Sequence, residues 1–156
     1  MNHYLSKGLL FCLIGILITG LVSCNKEGCG ETVISKTNQT GSHKTGQNCM
    51  NCHQDGEEGE GCFTVAGSVY DSLQMNPQPN GKLVLVIDPA ASTTPVAIVE
   101  VDAYGNLFTT EGINWGDGLY AIVEGASGDV QVMNDPVISG DCNSCHGSST
   151  GKIWVK

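Results

Sequence analysis

The stretch FTVAGSVY at residues 63–70 marks a change in the chain from Gly- and Ser-rich sequence to short runs of β-branched and aromatic residues. Such runs favour β-strands. Six more follow, at Lys82–Ile87, Val96–Val101, Leu107–Thr110, Leu119–Glu124, Asp129–Met133 and Lys152–Val155. Turn-forming residues separate the runs, and no helical periodicity lies between them. The spacing predicts a mainly β chain that folds as a small β-sandwich.

Three segments of this region carry short motifs typical of one group of sandwiches. They are Val65–Tyr70, Val101–Phe108 and Gly118–Val123. The region resembles the carboxypeptidase regulatory-like family, which implies an immunoglobulin-like or transthyretin-like sandwich and implies no catalysis. In this resemblance Val101–Phe108 forms a hairpin, and Gly105 takes the left-handed position of its tight turn.

Two short motifs lie on either side of the predicted sandwich, CMNCH at 49–53 and CNSCH at 142–146. Each is a C-x-x-C-H, the attachment signature for c-type haem. Two cysteines at this spacing can form thioethers to the vinyl groups of one porphyrin, and the next histidine can bind its iron. The chain resembles a dihaem c-type cytochrome. The resemblance implies two covalently bound c-type haems, attached through Cys49, Cys52, Cys142 and Cys145, with His53 and His146 as proximal iron ligands.

Two other uses of paired cysteines fit these motifs less well. Two C-x-x-C pairs could bind zinc through four thiolates, but the histidine after each pair would then have no role. A thioredoxin-like redox pair requires a βαβ context, which neither motif has.

The second axial ligand decides whether a haem transfers electrons or reacts with small molecules. His43 lies ten residues before His53 and has no other evident role, so it is the preferred distal ligand, for its own haem or for the second. Met133 is the candidate for the remaining iron. The alternation in Val130–Met133 predicts that it points away from the core. The alternatives are a surface histidine at position 43 and, at the other iron, a lysine, a partner chain or water, with Met133 only packing.

The N-terminus has the pattern of a bacterial export signal. Lys7 precedes a short apolar run at 8–20, and the run ends in Leu-Val-Ser-Cys at 21–24. This ending resembles a lipobox, which implies cleavage of a signal peptide at 1–23 and lipidation of Cys24. The alternative is an ordinary signal or an uncleaved anchor. A lipid anchor would tether the protein to a membrane of the cell envelope. Asn25 follows the cysteine, and resemblance to the lipoprotein sorting rule of Gram-negative bacteria implies the outer membrane, on its periplasmic or surface-exposed side.

Two cysteines, Cys29 and Cys62, have no role in this scheme and flank the first haem motif. In an oxidising compartment they are expected to form a disulfide, with two free thiols or a thioether to another group as the alternatives.

The sequence predicts four parts. After the signal peptide at 1–23 come a tether and first haem-binding segment at 24–61, a sandwich at 62–135, and a second haem-binding segment with a terminal strand at 136–156. We expect the two haems to lie close together, at one end of the sandwich. The chain has 16 acidic and 7 basic residues, a net charge of −9. This balance argues against nucleic acid as a partner and favours a redox protein with a basic docking surface, although acidity also serves solubility.

The combined features favour an electron carrier of the cell envelope over an enzyme. One alternative is a small haem peroxidase-type oxidoreductase, which needs an open iron with acid–base residues above it. The other is a haem-bearing binding or assembly module, which includes self-assembly of the chain.

Overall fold

The computed structural model describes residues 29–91 and 94–156. The expected signal peptide at 1–23 and the lipidation site Cys24 lie outside the described residues. The described residues form eight short strands: β1 Val65–Tyr70, β2 Lys82–Val86, β3 Ala97–Glu100, β4 Asn106–Thr109, β5 Tyr120–Glu124, β6 Val130–Val132, β7 Gly140–Asp141 and β8 Ile153–Trp154. Single 3-10 turns occupy Cys49–Asn51 and Cys142–Ser144. In these two ranges no helix is long and apolar enough to cross a membrane.

The strands form two sheets. In the first sheet β1 pairs antiparallel with β4 on one side and parallel with β7 and β8 on the other. The second sheet is antiparallel, with the order β3-β2-β5-β6. The prediction of a mainly β, two-sheet sandwich is confirmed.

The core lies between the sheets and follows the two-residue alternation of each strand. Leu83 and Leu85 of β2 are 2% and 1% exposed, and they pack with Val65 and Val69 of β1. The opposite face of the second sheet carries a row of apolar residues, in which Val84 pairs with both Ile98 and Ile122.

The partner of β1 on one side is an interrupted strand. β7 pairs with Val65 and Ala66, the chain then leaves the sheet for the turn at 142–144, and β8 returns to pair with Val69 and Tyr70. The second C-x-x-C-H motif therefore lies in a loop that leaves the first sheet after β7 and returns to it at β8. All six residues of β1 are buried, because the sandwich covers one face and the segments that carry the motifs cover much of the other.

One local expectation that differs from the structure concerns Val101–Phe108. This segment is not a hairpin within one sheet, because β3 belongs to the second sheet and β4 to the first. Its turn is held by Asp102, which is fully buried and accepts the amides of Tyr104 and Asn106 at 2.9 Å. Gly105 has a φ of +77°, the left-handed conformation that the turn requires.

The orientation of β6 is the reverse of the expected one. Val130 and Val132 are 49% and 46% exposed on the outer face, whereas Gln131 and Met133 border the space between the sheets. The register that pairs Val123 with Gln131 fixes this orientation. The prediction that Met133 points away from the core is therefore wrong.

Candidate functional site

The two C-x-x-C-H motifs adopt the same backbone turn. In each, the amides of the second cysteine and of the histidine donate to the carbonyl of the first cysteine. The N···O distances are 3.2 and 3.0 Å in the first motif and 3.4 and 2.9 Å in the second. A single 3-10 turn thus presents two thiols and an imidazole together, although no sequence similarity links the residues around the motifs.

The two motif histidines are held in the same way. The Nδ1 atom of His53 lies 2.8 Å from the carbonyl oxygen of Glu60, and Nδ1 of His146 lies 2.8 Å from that of Gly151. A carbonyl oxygen can only accept, so Nδ1 must be the donor in each ring. In the neutral imidazole Nε2 then keeps its lone pair. A ring fixed through one nitrogen with the other free is the usual arrangement of a metal-binding histidine.

A first cavity of about 450 Å³ contains the first motif. Cys49, Cys52 and His53 lie on its wall together with His43. The ring centroids of His43 and His53 are 5.9 Å apart, with the planes inclined by 36°. Two imidazoles on opposite sides of one metal ion, with metal–nitrogen bonds of about 2 Å, have centroids roughly 6 Å apart. The structure thus brings His43 to the first motif, at a separation that suits a shared iron.

An aromatic stack supports the wall of this first cavity. Phe63 stacks on the His53 ring, with centroids 4.1 Å apart and planes inclined by 8°, and Phe108 lies 5.0 Å beyond. Both phenylalanines line the cavity. The stack limits rotation of the His53 ring and gives the cavity an apolar side.

A second cavity, of about 310 Å³, contains the second motif and extends between the two sheets. Cys142, Cys145 and His146 lie at its wall, and Met133 lies there too. Core residues and two tryptophans also line it: Val65, Leu83, Leu85, Trp115 and Trp154. The cavity combines an apolar interior with thiol, imidazole and thioether groups, which can together hold an iron porphyrin.

Lys152 also borders the second cavity. Its Nζ donates to the carbonyl of Gln74 at 3.0 Å and lies 4.0 Å from the centroid of the Tyr70 ring. The ammonium group is therefore engaged by other partners. Of these two residues, Met133 is the better placed as a second axial ligand.

The two motifs lie next to each other across β1. Asn48, immediately before the first motif, donates through Nδ2 to a carboxylate oxygen of Asp141 at 3.1 Å. Asn143, inside the second motif, donates to the carbonyl of Gln47 at 2.8 Å. The motif segments are thus adjacent. The first cavity lies against Asn106 and Phe108 and the second against the core residue Val65, so the two cavities lie on opposite faces of the first sheet. The other carboxylate oxygen of Asp141 is buried and finds no hydrogen-bond partner among the described residues.

The four motif cysteines are free thiols with unequal surroundings. Cys52 and Cys145 are exposed, whereas the first cysteine of each motif is partly enclosed. Burial raises the pKa of Cys49, and it raises the pKa of Cys142 to about 12, where the nearby Asp141 carboxylate adds to the effect. Cys142 packs against Gly67, at which a Cβ atom would lie only 2.9 Å from the Cys142 Cβ.

Cys29 and Cys62 form a disulfide in the structure, the pairing that the sequence favours, with Cα atoms 4.7 Å apart. The bridge closes a loop over a sequence separation of 33 residues. His43 and the first motif both lie inside this loop, so the bridge encloses the residues that line much of the first cavity.

Comparison with known protein families, with curated proteins and with solved structures gave no match. Within residues 29–91 and 94–156, no group of three or more His, Cys, Asp or Glu side chains is arranged to hold a metal ion. A haem iron takes four of its ligands from the porphyrin and needs at most two from the protein.

Sequence analysis missed Asp141 and Asn143, the polar residues that join the motifs. A buried asparagine inside a short polar segment carries no recognisable pattern, since its role depends on partners distant in sequence. The aromatic character of Phe63 was visible, but not its stacking on a histidine.

Proposed function

We propose that this chain is an exported, lipid-anchored dihaem cytochrome c that transfers electrons at the bacterial cell envelope. One observation carries the proposal. At each C-x-x-C-H motif the histidine is held through Nδ1 with Nε2 free, and it shares a cavity wall with both cysteines of its motif. The same arrangement occurs twice, in two unrelated surroundings.

Particular residues of the chain would attach the haems and bind their irons. The two cysteines of each motif attach the porphyrin, and His53 and His146 bind the irons. A haem held by these residues would supply one-electron redox chemistry. Phe63 and Phe108 give the first site an apolar side, and core residues give the second site much of its wall. His43 completes the first site as distal ligand, and Met133 is the candidate at the second.

The charge of the chain supports a basic redox partner. With a net charge of −9, the protein would attract a positively charged docking surface, and such attraction speeds brief encounters. Attachment to the membrane through Cys24 is part of the proposal and rests on the sequence alone.

The proposal is tested by producing the full chain in bacteria with a working c-type haem maturation system. Intact mass is expected to show two covalent haems, and the oxidised protein is expected to show low-spin signals in electron paramagnetic resonance. A colourless product with the mass of the bare chain would refute the proposal.

The assignment of His43 is tested by His43→Ala, with Thr40→Ala as control, because Thr40 is an exposed residue of the same segment. His43→Ala is expected to convert one haem from six-coordinate low-spin to high-spin, while Thr40→Ala leaves the spectrum unchanged. Two low-spin haems in His43→Ala would exclude His43 as a ligand.

A further inference from the structure

A buried chain of polar side chains runs along β1 between the two motif segments. Ser68, Asn106 and Asn143 are only 1%, 2% and 7% exposed. Ser68 donates through Oγ to Asn106 Oδ1 at 2.8 Å, and Asn143 Nδ2 lies 3.2 Å from the Ser68 Oγ. Buried polar groups are costly unless they are bonded, and a fully bonded network fixes one arrangement of the pieces that it joins.

Asn143 makes the connection between the motifs. Its Nδ2 donates to the Gln47 carbonyl, two residues before the first motif, at 2.8 Å. Its Oδ1 accepts the Ser68 amide at 3.2 Å, at the point where the strand beside β1 is interrupted. The Asn143 side chain thus accepts the Ser68 amide, which no neighbouring strand among the described residues reaches at this point. The same side chain also binds the segment that leads into the first motif.

The network extends to the segment of His43. Asn106 donates through Nδ2 to Ser42 Oγ at 2.9 Å and to Thr45 Oγ1 at 3.0 Å. These two residues flank His43 on either side. The network therefore touches three pieces: the proposed distal ligand segment, the approach to the first motif, and the second motif itself.

We propose that Asn143 is a positioning residue that fixes the separation and orientation of the two haems, so that they interact magnetically and exchange electrons as a coupled pair. The inference rests on the proposed function, because it requires both haems. Asparagine suits the position because it offers an acceptor to Ser68 and a donor to Gln47 at the same time. The corresponding residue of the first motif, Met50, cannot do this.

The test uses full-length holoprotein in three variants. Asn143→Ala removes the hydrogen bonds to both Ser68 and Gln47. Asn143→Asp keeps the size and the acceptor for the Ser68 amide but loses the donor to Gln47 and to the Ser68 hydroxyl. Asn51→Ala is the matched control, since it removes an exposed asparagine from the first motif. Intact mass first counts the haems in each protein. Electron paramagnetic resonance of the fully oxidised proteins then measures the spin–spin interaction between the two irons.

The wild type and Asn51→Ala are expected to show the same interaction broadening. Both Asn143 variants are expected to keep two haems and to lose that broadening, so that each spectrum becomes the sum of two isolated haems. Broadening that persists in the Asn143 variants, or isolated haems in the wild type, would overturn the inference. Loss of haem from the Asn143 variants alone would also overturn it, by assigning Asn143 to haem attachment. Absence of haem from the wild type would instead refute the proposed function.

Discussion

Removal of the disulfide between Cys29 and Cys62 should weaken the protein in a way that can be calculated. The bridge spans a sequence separation of 33 residues. For a loop of that size, the loop-closure entropy model gives a stabilisation of about 4 kcal/mol. The double variant Cys29→Ser/Cys62→Ser should therefore lose about 4 kcal/mol from the free energy of unfolding, which corresponds to a fall in Tm of roughly 10–15 °C.

The enclosed loop is also attached to the sandwich at Ser35, so the variant should still fold. The Ser35 amide donates to the Phe108 carbonyl at 2.9 Å, and the Phe108 amide donates to the Ser35 hydroxyl at 2.9 Å. Loss of the bridge should act mainly on the free end of the loop near Cys29 and on the first cavity. If the chain carries the two proposed haems, the spectrum of the haem in the first cavity is expected to change before that of the second during unfolding.

Urea unfolding of the holoprotein measures this effect, followed by haem absorbance and by the fluorescence of Trp115 and Trp154. Wild-type protein treated with dithiothreitol is a second route to the same state, because the reagent opens a disulfide and leaves thioethers intact. The two routes should give equal losses. A free energy of unfolding within 1 kcal/mol of the untreated protein by both routes would refute the reasoning.

Four further predictions concern the thiols and the core. Gly67→Ala places a methyl group against Cys142, so the proposed haem at the second site should attach less completely. Intact mass should then show chains with one haem in place of two, and full occupancy by two haems would contradict this prediction. In chain made without haem, iodoacetamide at pH 8 should modify Cys52 and Cys145 well before Cys142, whose pKa of about 12 leaves roughly one thiolate in 10⁴. Because an unfolded thiol has a pKa near 8.5, the stability of that haem-free chain should fall as pH rises from about 8.5 towards 12, which urea titrations at several pH values would show. Leu85→Ala empties a core position that is 1% exposed and should cost about 2–5 kcal/mol in urea unfolding, with smaller losses indicating that the sheets close over the gap.

The strands were predictable because their pattern is local. All seven predicted runs overlap a strand of the structure, and no bound differs by more than two residues. The exception is β7, the two residues Gly140–Asp141. They have neither alternation nor β-branched side chains, and they are extended only because β1 offers a partner. Pairing imposed by a distant strand leaves no local signal.

The site was predictable in its chemistry and not in its placement. The two motifs fix the thiols and imidazoles by spacing alone, and position 43 was selected by elimination. The orientation of Met133 was predicted wrongly, because valines were assumed to face inward. At the edge of a sheet that rule fails, since Val130 and Val132 are half exposed there without large cost. The contacts of Asn143 depend on residues far away in sequence, which no single-sequence pattern encodes.

The arrangement of the two cavities on opposite faces of the first sheet has a consequence for how the proposed haems could receive and pass on electrons. β1 lies between the two cavities, and a haem is proposed in each of them. A donor that docks on one side would leave the other side open to an acceptor, so both could be engaged in a single ternary encounter. In such a complex the electron donor would not have to dissociate before the acceptor binds.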